Sequence, residues 1–160
     1  MRYHTDMKRG STIFLQTLVC LIGLAVLALC VFILPMGIMN PKAGMYRPIL
    51  IGMYFPALPF FIGLYQVMRL LGYITNGSVF SKTSIKPLQI IKYCGIAISV
   101  LYALGMPYIF IVAQKDDAPG VVLLGLIFTF APVLVTITAA VLENLLQNAL
   151  AIKSENDLTV

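Results

Sequence analysis

The sequence predicts an all-α polytopic membrane protein: four transmembrane helices in an antiparallel bundle, with both termini in the cytoplasm. Three observations carry that prediction. Hydrophobic residues make up 60% of the chain and charged residues 11%, where soluble domains have about 45–50% and about 25%. Mean hydropathy is +0.96. The apolar residues fall into four runs, each long enough to cross a hydrocarbon core about 30 Å thick, which takes roughly 20 residues. Lipid offers backbone amides no partners, so each run has to be helical, and none shows the alternation a β-barrel needs. One domain is expected over residues 1–160, with a short tail at 148–160.

The first span, about 13–36, follows Arg2, Lys8 and Arg9. This start imitates a secretory signal, but its apolar run is too long for the ~7–15-residue core of a cleaved one, so an uncleaved span is expected. The second, about 47–73, carries Pro48, Pro56 and Pro59. Pro56 and Pro59 lie inside it and should kink or loosen the helix. Two readings stay open: a hinge or broken helix lining a site, or ordinary prolines whose freed backbone groups are satisfied by neighbours. The third span, about 88–113, contains Pro107, and the fourth, about 119–147, contains Pro132. Gly95 and Ser99, four apart, allow close helix approach, as do Ala25 to Ala28, Gly120 to Gly125 and Ala139-Ala140. Such spacings describe packing and leave the oligomeric state open.

Orientation follows from the basic residues. Arg2, Lys8, Arg9, Arg69, Lys82, Lys86, Lys92 and Lys153 fall on one side, against Lys42, Arg47 and Lys115 on the other. The positive-inside rule places the first set in the cytoplasm. The net charge of +5 is spread thinly along membrane flanks, so direct nucleic-acid binding is not expected.

Polar groups within the bilayer are the default pointer to function. The candidate layer comprises Arg69 and Gln66 on span two with Glu143, Asn144 and Gln147 on span four, and Lys92 and Tyr93 open span three nearby. An Arg69–Glu143 pair tying spans two and four together is one reading, a small binding pocket a second, and snorkelling of both charges to the headgroups a third. The central parts of the spans lack Asp, Glu, Lys, Arg and His, which weakens a transport reading. Cys20, Cys30 and Cys94 lie separately inside apolar runs, without a disulfide framework or zinc-site spacing. No nucleophile–base pair, metal-ligand cluster or phosphate loop is present, so neither enzyme activity nor a cofactor is expected.

In the link between spans two and three, Asn76-Gly77 signals a turn. Val79 and Phe80 are apolar within a polar stretch, which suggests that they dip into the interface or dock against the bundle. Ser81 to Ser84 offer capping hydroxyls to the helix that follows. The tail, Glu155-Asn156-Asp157-Leu158-Thr159-Val160, reads either as a disordered end or as a docking peptide. In an extended strand Leu158 and Val160 would share one side, as a peptide added to a sheet edge requires.

Four spans with cytoplasmic ends, the Gly77-Ser78-Val79-Phe80-Ser81 stretch entering span three and the closing Glu155 to Val160 segment together resemble a bacterial membrane family, domain of unknown function 2975. The resemblance covers essentially the whole chain. It implies a bacterial cytoplasmic-membrane protein, frequently encoded beside a small helix-turn-helix regulator, and carries over no catalytic residue. The leading expectation is therefore a membrane anchor or regulatory partner. It would bind a cytoplasmic helix-turn-helix protein through Val79, Phe80, Glu155, Asp157, Leu158 and Val160. The alternative is a small transporter or immunity-type protein using the layer around Arg69 and Glu143.

Overall fold

The computed structural model describes the backbone of residues 2–159 and the side chains of residues 10–159. It is all-helical, and four helical stretches are long and apolar enough to cross a membrane: Gly10–Met39, Pro41–Thr75, Lys82–Lys115 and Pro119–Leu158.

The first stretch is built from α1 (Arg2–Ala28), a π-helical segment (Leu29–Ile33) and α2 (Leu34–Met39). Pro35 explains the π segment. It has no amide hydrogen, and its ring crowds the carbonyl four residues back. The Leu34 N–H reaches Leu29 O instead. Cys30 O thereby loses its usual donor, Leu34, and the next candidate, Pro35, has none to give. The Tyr54 hydroxyl fills the gap, donating to Cys30 O at 2.9 Å. In hydrocarbon an unpaired carbonyl is costly, so this bond both closes the defect and ties span one to span two.

Asn40 then turns the chain in an extended conformation, its side-chain oxygen accepting from Lys42 N at 3.0 Å. Gly44 follows at φ 38°, where a Cβ would be strained. Span two comprises a 3₁₀ turn (Pro41–Tyr46), α3 (Arg47–Gly52) and α4 (Tyr54–Thr75), with a break at Met53. The break falls where Pro56 predicts it, because Gly52 O is the acceptor that Pro56 cannot serve. Pro59, by contrast, is absorbed within α4.

The link to span three is a serine-built turn. Gly77 takes φ 67°, and Ser78 O accepts the hydroxyls of Ser81 at 2.8 Å and Ser84 at 3.3 Å. The hydroxyls expected to cap the next helix therefore close the preceding loop. Val79 is half-buried there and Phe80 is 64% exposed. After a short 3₁₀ turn (Lys82–Ser84), α5 (Ile85–Lys115) and α6 (Pro119–Leu158) form the third and fourth stretches.

The α5–α6 interface is the largest in the molecule, followed by α4–α5 and then α1–α4. Gly95 makes the closest approach. A Cβ there would overlap Thr136 Oγ1 and lie 3.0 Å from the Pro132 carbonyl oxygen. Gly125 sits likewise against the Met106 sulfur, and Gly63 against Cys94. Ser99 turns its hydroxyl back to Gly95 O at 2.9 Å, so its polar group is satisfied within its own helix.

The conformation of the tail differs from the sequence expectation, whereas its docking role is untouched by the fold. Helix α6 continues without interruption to Leu158, so the end is neither an extended strand nor structureless over its described part. Val160 lies outside the described residues. Helix persists because Ala149, Ala151, Lys153 and Glu155 are compatible with it and the preceding helix has already met the cost of nucleation.

Candidate functional site

Helices α5 and α6 bring one polar cluster together. Gln89 and Lys92, three apart on α5, lie on the same face, as do Glu143 and Gln147, four apart on α6. Glu143 is at their centre and its side chain is 8% exposed. Lys92 Nζ donates to Glu143 Oε2 at 2.6 Å, Gln89 Nε2 donates to Oε1 at 2.8 Å, and Gln147 Nε2 to the same oxygen at 3.3 Å. The Lys92 ammonium also lies 5.3 Å from the centroid of the Tyr93 ring. Two turns before Glu143, Thr136 donates to Pro132 O at 2.9 Å and reaches Lys92 O at 3.4 Å. The carboxylate is thus neutralised by one cation and held by two neutral donors, as a buried charge requires.

This corrects the expected pairing. Glu143 is bound to Lys92 of span three, and Arg69 of span two is exposed. Position along an apolar run says nothing of the direction in which each helix face points. Gln147 joins the cluster, whereas Asn144 is exposed. Gln66 is buried at 7% exposure, and its Oε1 has no hydrogen-bond partner. The residue missed by the sequence reading is Gln89. Its signal was present: Gln89 and Lys92 form an i, i+3 polar pair in the first turns of an otherwise apolar span.

The Glu143 cluster is closed on itself. Its carboxylate is engaged on both oxygens, and among the described residues no three His, Cys, Asp or Glu side chains gather at one point. The thiols of Cys20, Cys30 and Cys94 are free and separate. What the geometry does provide is a polar clamp between the two most extensively packed helices.

The remaining candidates lie on the surface. Residues 151–159 are all exposed, Ile152 at 68% and Leu158 at 86%. Glu155 and Asp157 stand there on helix, where Glu155 O accepts the Thr159 hydroxyl at 2.8 Å.

Comparison with known proteins now places the chain. Residues 35–160 match the family model described as protein of unknown function DUF2975. The chain belongs to the DUF2975 family. A relative of this DUF2975 chain, an uncharacterized membrane protein, YoaS, of Bacillus subtilis (strain 168), is 45% identical over 161 residues; the alignment covers 96% of the chain and all of the relative. No solved structure matches. The chain is a membrane protein of a family of unknown function, and its four apolar helices suit it to the bilayer.

Proposed function

We propose that the protein is a non-enzymatic anchor of the bacterial cytoplasmic membrane that presents the end of α6 to a cytoplasmic helix-turn-helix protein. In this reading the spans run antiparallel and both termini face the cytoplasm, as the distribution of Lys and Arg favours. The observation that carries it is the length of α6. Its 40 residues make a helix ~60 Å long, about twice the thickness of the hydrocarbon core. With the polar cluster of Glu143 and Gln147 at the membrane boundary, the remaining turns stand clear of the bilayer as a preformed helix. Ile152 on it shares an exposed apolar face with Leu145 at the boundary, seven residues before, with Lys153, Glu155 and Asp157 around the end. A preformed amphipathic helix is a common means of entering a partner's groove and loses little ordering entropy on binding.

The transporter reading has less support. Glu143, a buried carboxylate, is already engaged by Lys92 and two glutamines, so it is not free to carry a proton or cation.

Purification from native membranes, with and without residues 149–160, tests the anchor. Full-length protein is expected to retain a helix-turn-helix protein identified by mass spectrometry, and the truncated protein to lose it. Retention of no such protein by full-length material, or equal retention by both, contradicts the reading.

A further inference from the structure

Two irregular points in the helices and three prolines converge on one place. Cys30 of the π segment, Met53 at the break in span two, Pro56, Pro59 and Pro132 all line a single cavity of about 430 Å³. All four spans contribute to it. π-segments and proline breaks cost stability and cluster at functional sites. Here the π segment and the break at Met53 both border the cavity, whereas Pro59 and Pro132 line it from within continuous helices.

Its shape and chemistry specify what fits. Along α4 the lining runs from Met53 to Val67, which at helical rise is ~21 Å. The slot therefore lies along the helices, at hydrocarbon depth. The lining side chains are apolar except for the Tyr102 hydroxyl and the thiols of Cys30 and Cys94. No charge is present to receive a polar headgroup. On the α6 side the wall is Phe128, Ala131 and Val135, all exposed, and α6 has no interface with α1 comparable to those it makes with α5. The slot is open to the bilayer along that edge.

We propose that this slot holds one acyl chain of a membrane phospholipid, inserted sideways between spans one and four with its headgroup left in the interface. A slender, apolar, laterally open slot parallel to the spans matches an extended hydrocarbon chain that is already in the adjoining solvent. The gain over bulk lipid comes from contact with the walls of the slot, since filling it restores the dispersion contacts they lack.

The test is lipid retention by purified full-length protein after exchange into detergent, read by native mass spectrometry and by lipid extraction. Wild-type protein is expected to keep about one phospholipid per chain. Ala57→Phe and Ala131→Phe place a ring in the slot, and each should lower retention about tenfold, because the ring takes the volume in which the chain makes its dispersion contacts. Ala131 is at the exposed edge, so its variant has room to fold even where Ala57→Phe does not. Leu134→Phe, on the exposed face of α6 outside the slot, should retain lipid as the wild type does. The proposal is overturned if wild-type protein emerges without lipid, if Ala131→Phe retains as much as wild type, or if the retained molecule is a free fatty acid or a quinone.

Discussion

Leucine in place of Gly95 is expected to separate α5 from α6 and to leave little monodisperse protein after extraction into detergent. Any Cβ at this position overlaps Thr136 Oγ1 and approaches the Pro132 carbonyl oxygen at 3.0 Å. The hydroxyl can rotate away, but the carbonyl belongs to a helix backbone and cannot. Overpacking of this kind typically costs about 1–3 kcal/mol, and the three further carbons of leucine enlarge it. Alanine separates the two contributions. Gly95→Ala should lower the thermal midpoint, and Thr136→Ala in the same chain should recover part of that loss but not all of it, because the carbonyl contact remains. Wild-type stability in Gly95→Leu would mean that α5 and α6 do not meet at Gly95.

The second large effect concerns the ion pair. Lys92→Met leaves the Glu143 carboxylate in a partly apolar site with only the glutamine amides, and Glu143→Leu leaves the Lys92 ammonium without its anion. Breaking one side of such a pair is worse than replacing both sides with apolar groups. Each single variant should therefore lower the thermal midpoint by several degrees, and the double variant should recover much of the loss. Arg69→Ala, at an exposed position, should have a smaller effect than either and should add independently to Glu143→Leu. Additive losses for Lys92 and Glu143, or coupling of Glu143 to Arg69, would contradict the pairing. The cycle isolates the pair because residues without shared contacts normally add.

The four spans were legible because a run of twenty apolar residues has few alternatives in water or lipid. The partner of Glu143 was not. Hydropathy fixes how deep a residue sits, whereas pairing depends on which helices are neighbours and how each is rotated. Lys92 stands near the start of a span, where a side chain facing the headgroups is equally consistent with the sequence. Gln89 was hidden in the same way. Pro56 and Pro59 were read together as candidates for a break, and the structure divides them: Pro56 breaks span two at Met53, and Pro59 stays within α4. The π segment followed from Pro35, which stands late in the first run and was passed over among apolar neighbours. The helical end of α6 was obscured by composition, since Lys153, Glu155 and Asp157 suit a solvated coil as well as a solvated helix. What decided it was the helix already formed before them, which spared the end a nucleation step. The cavity was invisible for a simpler reason: its lining comes from all four spans, and no local pattern marks it.

The anchor reading rests on α6 leaving the membrane as a helix that another protein can grip. Photo-crosslinking in living cells tests this most directly, with a benzophenone side chain at Ile152, which is 68% exposed, and a control at Leu134, exposed on the apolar part of the same helix. The account predicts a crosslink from position 152 to a cytoplasmic helix-turn-helix protein and none from position 134. Absence of a protein adduct at position 152, or equal yields at the two positions, would contradict it.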